Sequence, residues 1–371
     1  MKKIVAFFMT ISLVFCTGCF NYRDINKLLF ATSVIVDIDQ GNQPVLYVEA
    51  FRAIEGTESG ERLIFRGRGK TVFEALRNIT LGTSFKINVT QNRVLIFTQK
   101  AAEYGIDNFL DFFHRDQEFI NRQYVCIYSG ELEKLANIKT NESKYVGMFI
   151  NRLLSNVGAS SRGIQININD YYKQRLVGDK VSIVPIIEIR KDVGGDDKIL
   201  VNGGAVVKKD KMVGAISRDQ GQGFNFLLNS VNSGTLEIAN PDFPGSFITL
   251  EILKTKTKTD IVYEDKQIKL IKNIKVNTAI GEVQKGLNIN KKSLESIKEL
   301  AASNIRKACY QLFDEYKDKG IDIFDIQEEF LRKYRYEKGE DIIKQTNLVI
   351  DVEVEIETGN DDIDFINVRG E

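Results

Sequence analysis

Short apolar runs, separated by stretches with helical spacing, dominate the first half of the chain. Two runs rich in β-branched residues, 28–39 and 43–52, meet at Asp39-Gln40-Gly41-Asn42, and this arrangement predicts a hairpin. Further strands are predicted at 92–98, 122–128 and 181–189. Helices are predicted at 71–81, 101–113 and 141–156, whereas 164–172 fits either type. This alternation of strands and helices predicts an α/β or α+β layer.

Two features mark the middle of the chain as a place where the architecture changes. Pro185 interrupts the run at 181–189 and predicts an edge strand or a bulge, because proline cannot donate to a sheet ladder. The charged, glycine-rich segment 190–198 that follows predicts a loop and a domain boundary.

The second half predicts a long antiparallel stretch and a long amphipathic helix. Residues 246–258 and 261–284 alternate strongly and predict three or four antiparallel strands. Residues 291–319 carry an apolar stripe typical of core contact, and Gly320 ends this helix. Shorter elements are a hairpin at 200–217, helices at 222–231 and 322–334, and a strand at 348–357. The predicted fold class is therefore α+β or α/β, with about three mixed-sheet units flanked by helices.

The N-terminal segment predicts export and lipid attachment. Lys2 and Lys3 precede an apolar stretch, 4–15, that is too short for a spanning helix of about 20 residues and fits a signal peptide. Thr17 and Gly18 precede Cys19, as in a lipobox, although Cys16 stands where leucine is usual. We predict removal of residues 1–18 and acylation of Cys19, because two or more acyl chains hold a protein stably on a membrane. The expected divisions are 1–18, an N-terminal region 19–198 of one or two subdomains, and 199–371.

Composition excludes some classes of protein. The chain has 51 basic and 51 acidic side chains, and removing Lys2 and Lys3 with the signal peptide leaves 49 against 51. Nucleic-acid binding needs a basic face, so no nucleic-acid partner is expected. Cys126 and Cys309 both occupy apolar positions and are predicted to be buried, reduced thiols.

No pattern of catalytic or metal-binding residues stands out. His114 is the single histidine, it has no zinc-ligand spacing around it, and no G-x-S-x-G elbow is present. The segment 67–71 lacks the first glycine of a phosphate loop, and Lys70-Thr71 is predicted to begin a helix instead. The acidic segment 192–197 lacks the ligand pattern of a calcium loop and is predicted to be solvated. The sequence thus predicts a non-enzymatic binding or scaffold protein without cofactor or metal.

Several segments, in order along the chain, resemble the spore germination protein C-subunit family, Ger(x)C. The segments are 20–27 after the modified cysteine, 69–77, 113–119, 203–214, 320–324 and 348–359. Phe20 and Asn21 stand where the family has Trp-Asp, and the chain contains no tryptophan.

This resemblance implies a function in spore germination. Members of the family are lipoprotein subunits of nutrient germinant receptors in endospore-forming Firmicutes. The resemblance implies an α/β fold and a location on the outer face of the spore inner membrane, beside integral-membrane A and B subunits. From the family only Cys19 is carried over, as the lipid site, and nutrient contact by this subunit is left open.

A second interpretation is a solute-binding lipoprotein of an ABC transporter. Such proteins have two similar lobes around a cleft, so the fold discriminates between the two interpretations. The long antiparallel stretch and the absence of tryptophan favour the receptor subunit. An exported hydrolase, as a third class, lacks a constellation around His114.

Overall fold

The computed structural model describes residues 27–52, 60–120, 122–288, 290–335 and 341–357. The signal segment and Cys19 lie outside these residues. The first half contains, in order, β1 (Leu28–Ile38), β2 (Pro44–Arg52), β3 (Glu61–Arg68), α1 (Val72–Ile79), β4 (Lys86–Asn88), β5 (Val94–Thr98), α2 (Gln99–Tyr104), α3 (Asp107–Arg115), β6 (Tyr124–Tyr128), α4 (Leu132–Asn137), α5 (Val146–Asn156), α6 (Ile168–Gln174) and β7 (Val181–Lys191).

The second half contains a further run of strands and helices. They are, in order, β8 (Asp197–Lys208), β9 (Lys211–Ile216), α7 (Gln220–Leu227), β10 (Gly234–Ala239), β11 (Phe247–Glu264), β12 (Gln267–Val283), α8 (Lys291–Lys319), α9 (Ile326–Lys333), α10 (Ile342–Gln345) and β13 (Thr346–Ile356).

Two mixed sheets account for the strands that the structure describes. Nine strands form one sheet in the order β3-β2-β1-β5-β6-β7-β8-β9, with β4 beside the start of β1. Its central strands β1, β5, β6 and β7 are parallel, and antiparallel strands complete both sides. The other sheet has the order β10-β11-β12-β13 and is antiparallel except between β12 and β13. The predicted mixed α+β class is confirmed, with two sheets in place of about three units.

The segment 190–198, predicted to be a loop, is a turn at its centre and strand at both ends. β7 and β8 pair as far as Lys191 and Asp197, so only a turn at 192–196 separates them. Cross-strand ion pairs explain the charged composition, since Lys191 lies 3.0 Å from Asp197 and Lys198 lies 3.0 Å from Asp192. The ladder shifts register between Pro185 and Ile187, which is the bulge that the proline predicted.

The long antiparallel stretch consists of two strands where three or four were predicted. β11 and β12 stay paired from Ile248 and Val283 to Glu264 and Gln267. Asp265 and Lys266 make the tight turn, and both have positive φ. Two register shifts near the start of β11 interrupt the ladder without ending it. The predicted break at 259–260 is absent, because Thr259 and Asp260 pair with Lys272 and Ile271 within the same ladder.

The long helix α8 has the predicted bounds. Asn290 and Ser293 form a capping box at its start, and Gly320, with a φ of 65°, ends it in the left-handed conformation. Its apolar stripe is buried against the four-stranded sheet. The same core also contains Val181, Val206 and Ile216 of the nine-stranded sheet, so one core joins the two sheets.

Lys272 on β12 is a charged residue buried in this core region. It is 3% exposed, and its Nζ donates to the Leu227 carbonyl at 2.7 Å and to Thr259 Oγ1 at 2.9 Å. Burial lowers the pKa of Lys272 to about 8, although the carboxylates of Glu329, Asp325 and Asp322 oppose this effect. The folded protein therefore releases the Lys272 proton at a lower pH than the unfolded chain does.

We expect the contribution of Lys272 to the free energy of unfolding to rise between about pH 8 and pH 10.5, because this side chain binds more protons in the unfolded chain there. The buried thiols of Cys126 and Cys309, whose pKa values burial raises, act in the opposite direction, so the comparison with a Lys272 variant isolates the lysine. The contribution of Lys272 is up to about 3 kcal/mol over this interval. Lys272→Met removes the titrating group. We therefore expect the free energy of unfolding of this variant, measured by urea denaturation, to increase less with pH than that of the wild type. Identical pH slopes for the two proteins would contradict the assignment.

Candidate functional site

The predicted lipid site lies just before the point at which the described chain begins. Cys19 precedes Lys27 by eight positions. Lys27 leads into β1, which pairs with β2 on one side and with β4 and β5 on the other. The chain therefore enters the body through an interior strand of the nine-stranded sheet.

The end of the sheet where β1 starts is defined by five residues, and we name it the entry end: Lys27, Arg52, Glu61, Phe85 and Lys86. Register places them together, because Leu28 pairs with Lys86 and Arg52 pairs with Glu61. The Arg52 guanidinium lies 3.1 Å from the Glu61 carboxylate and 5.5 Å from the centre of the Phe85 ring. A second ion pair, 3.7 Å between Lys86 and Glu118, connects the loop before β6 to this end.

Aromatic rings lie beside the entry end. Phe30 of β1 stacks on Phe51 of β2 with ring centres 5.3 Å apart, and Phe51 contacts Tyr145 at 5.4 Å. The Tyr145 hydroxyl donates to the Gly60 carbonyl at 2.8 Å, next to Glu61. All three rings are half-buried, so they are neither core residues nor fully solvated.

A buried carboxylate fixes the start of α5 against this part of the sheet. Glu49 of β2 is 4% exposed and pairs with Arg62 of β3 at 2.5 Å. The Glu49 carboxylate also accepts hydrogen bonds from the backbone N–H groups of Val146 and Gly147, at 2.8 and 2.7 Å. A negative charge is favourable at a helix N-terminus, so this contact is structural and holds Tyr145 in place.

The pair of Arg175 and Asp210 is a second buried polar contact, and sequence reasoning missed it. Arg175 follows α6 and binds the Asp210 carboxylate with both Nε and a terminal nitrogen, at 2.7 and 2.6 Å. The Tyr171 hydroxyl donates to the same carboxylate at 2.9 Å. The cluster ties the β8–β9 turn to α6. Asp210 is more than 30 positions from Tyr171 and Arg175, so no local sequence pattern predicts the cluster.

The residues considered for chemistry occupy structural positions. His114 is exposed, with its ring 4.9 Å from that of Tyr172. Cys126 and Cys309 are free and buried, as predicted. Burial raises the pKa of the Cys309 thiol to about 12 and that of Cys126 further, so neither is a thiolate near neutral pH.

The two loop motifs also have local explanations. Thr71 Oγ1 accepts from the Glu74 N–H at 3.1 Å, so Thr71 caps α1 and the predicted helix start is confirmed. Asp192 accepts from the Asp196 N–H at 2.9 Å and pairs with Lys198, which lowers the pKa of Asp192. In the described part of the chain, no cluster of histidine, cysteine, aspartate and glutamate is suited to a metal ion.

A cleft of about 740 Å³ opens between the α4–α5 connection and the β7–β8 turn. Phe149, Leu153 and Ile199 supply apolar wall, whereas Arg152 and Asp196 supply opposite charges. The two sheets differ in strand number and order, so this cleft does not lie between two similar lobes. This architecture argues against the solute-binding interpretation.

No helix among the described residues is long and apolar enough to cross a membrane. The molecule is a mixed α+β body with two dissimilar sheets, one core that joins them, and an entry strand that begins beside an aromatic and basic end.

Two family models match almost all of the chain: a spore germination protein N-terminal domain over residues 21–189, and a spore germination B3/GerAC-like C-terminal domain over residues 202–359. The chain belongs to this family of spore germination proteins.

Individual relatives agree with the family. Spore germination protein GerQC of Bacillus cereus is 23% identical over 363 residues, which cover 96% of this chain and 98% of the relative. Spore germination protein KC of Bacillus subtilis is 22% identical over 370 residues, which cover 92% and 90% of the two chains. The crystal structure of the GerBC protein has the same fold, with a TM-score of 0.58 and 18% identity over 90% of this chain and all of that one.

Proposed function

We propose that this chain is the C subunit of a spore nutrient germinant receptor. It is a non-enzymatic lipoprotein on the outer face of the spore inner membrane, and acylated Cys19 holds it there. It acts through contacts with the integral-membrane A and B subunits. The observation that carries the proposal is the match of both family models, in order, over residues 21–189 and 202–359.

The chemistry of the chain supports each part of this proposal. The segment 1–18 has the features of a signal peptide and leads directly to Cys19, whose acyl chains would supply the membrane attachment. The described body offers buried, protonated thiols and an exposed histidine rather than an assembled catalytic group. Binding to partner proteins is the activity that we propose for this body.

The test of this proposal is Cys19→Ala in the native spore former. We expect the protein to leave the inner membrane fraction and the nutrient response of the spores to fall strongly. The response to a trigger that bypasses the receptor should survive. Cys16→Leu is the matched control, because it alters the neighbouring cysteine towards the usual lipobox residue and should leave location and response unchanged.

Two results would contradict the proposal in different ways. Retention of the Cys19→Ala protein in the membrane fraction would show either that Cys19 is not acylated or that the partner subunits hold the body without the lipid, and the mass of the N-terminal peptide of the wild type separates the two. Loss of location with a normal nutrient response would show that the receptor role is wrong.

A further inference from the structure

The connection between Cys19 and the body is short compared with the body itself. Seven residues separate Cys19 from Lys27, and the eight residue-to-residue steps between them span at most about 28 Å when fully extended. A compact chain of this size is about 50 Å across. If Cys19 carries the lipid, the entry end must therefore lie close to the membrane, and the opposite end of the sheet is out of reach.

The opposite end is identified by strand direction. β1, β5, β6 and β7 are parallel, so the turn after β7 lies at the other end of the sheet from Lys27. That turn contains Val193, which is fully exposed. The nine-stranded sheet thus has one end near the anchor and one end far from it.

The entry end has the chemistry of a surface that contacts lipid headgroups. Three of its five residues, Lys27, Arg52 and Lys86, are basic and one is acidic, and Glu118, which pairs with Lys86, adds a second carboxylate. This end therefore carries a small excess of positive charge, whereas the mature chain as a whole has more acidic than basic side chains. Anionic headgroups attract basic residues at short range. The Phe85 ring lies beneath the Arg52 guanidinium, and half-buried aromatic rings with a polar neighbour favour the membrane–water interface.

We propose that the entry end docks on the anionic headgroup layer of the membrane and so sets the orientation of the body. This inference rests on the proposed anchor at Cys19, which provides the attachment, while the docking contact provides the orientation. The nine-stranded sheet then stands with its β1 start on the lipid and the β7–β8 turn directed away from it.

The absence of tryptophan from the chain permits a clean test. Phe85→Trp places a single fluorescent reporter in the entry end, and Val193→Trp places the same reporter at the far end. Each full-length, lipidated protein is reconstituted into vesicles of phosphatidylglycerol and phosphatidylcholine, with or without bromine on the acyl chains. Flotation of the vesicles and the mass of the N-terminal peptide report on the anchor separately.

We expect bromolipid to quench Phe85→Trp several-fold more strongly than Val193→Trp, and the emission of Phe85→Trp to shift to shorter wavelength in vesicles. Vesicles of phosphatidylcholine alone should give weaker quenching, because their headgroups carry no net negative charge to attract the basic residues. Ile120→Trp is a second reporter for the same end if Phe85→Trp misfolds. Ile120 is exposed and lies two positions after Glu118, which pairs with Lys86.

Protein that floats with vesicles and carries the lipid, but shows equal quenching at both ends, would overturn the docking inference and leave the anchor intact. Protein without the lipid mass would instead refute the anchor at Cys19. Quenching that differs between the two ends only after integral-membrane subunits are added would show that the entry end binds protein, and would also overturn the inference.

Discussion

Replacing Glu49 with leucine should lower the free energy of unfolding by about 3–5 kcal/mol, the usual loss when one partner of a buried ion pair is removed. The Glu49 carboxylate neutralises Arg62 and satisfies the first N–H groups of α5. Thr32 Oγ1 donates to it as well, at 2.5 Å. Leucine leaves all of these donors without their acceptor in a buried site. Urea unfolding followed by circular dichroism measures the change.

Two further variants separate the charge effect from a general effect of mutation. Asp111→Ala breaks the exposed pair with Arg115, and we expect no measurable change in the free energy of unfolding, because solvent screens this pair. Glu49→Leu combined with Arg62→Met removes both charges and should recover part of the loss. A loss below about 1 kcal/mol for Glu49→Leu would contradict the structural role of this carboxylate. Hydrogen exchange at Val146 and Gly147 should also become faster in Glu49→Leu.

Replacing Phe313 with alanine should cost about 3–5 kcal/mol, as expected for a large aromatic side chain in a well-packed core. Phe313 of α8 is 1% exposed, and its ring centre lies 5.6 Å from that of Phe324. Phe247→Ala is the matched control, because Phe247 is 52% exposed and its removal leaves no cavity. We expect a change within about 0.5 kcal/mol for this control.

The Phe313→Ala experiment also tests whether the two sheets unfold as one unit. Phe313 belongs to the core that includes residues of both sheets. We therefore expect a single unfolding transition that shifts as a whole to lower urea concentration in the variant. Tyrosine fluorescence and circular dichroism should report the same midpoint. Two separate transitions, of which only one shifts, would show that the sheets unfold independently.

Elements with complete local signals were predicted well from the sequence. Helix α8 has a polar residue at its start, a continuous apolar stripe and Gly320 at its end, and its observed bounds are those predicted. The β1–β2 hairpin was likewise predicted from its strands and turn. In both cases local propensity and burial favour the same structure.

Elements that depend on distant partners were not predicted. β3 is a half-exposed edge strand with four charged residues, so its pattern has no clear period, and it forms because β2 offers a free edge. The helix predicted at 101–113 is two helices, because Gly105, with a φ of 140°, breaks the chain direction. The loop predicted at 190–198 is limited to 192–196, because ion pairs across the hairpin stabilise the charged ends of β7 and β8.

The residues of the candidate site also divide into those that a local pattern predicts and those that it does not. Cys19 is readable from a local motif, although it lies outside the described residues and its acylation stays a prediction. The entry end cannot be predicted from the sequence, because strand register alone brings Arg52, Phe85 and Lys86 together. The role of Glu49 cannot be predicted from the sequence either. Strand pairing brings Arg62 to it, and helix packing brings the N–H group of Val146.

The position of β1 has a mechanical consequence. Tension on the chain before Lys27 pulls along a strand that is bonded at both edges, to β2 on one side and to β4 and β5 on the other. The hydrogen bonds of these ladders then resist sliding together, whereas a strand peeled from a sheet edge loses its bonds one at a time. A force applied to the segment before Lys27 is thus distributed over the whole nine-stranded sheet. The body then moves as a rigid unit and does not unfold from its first strand.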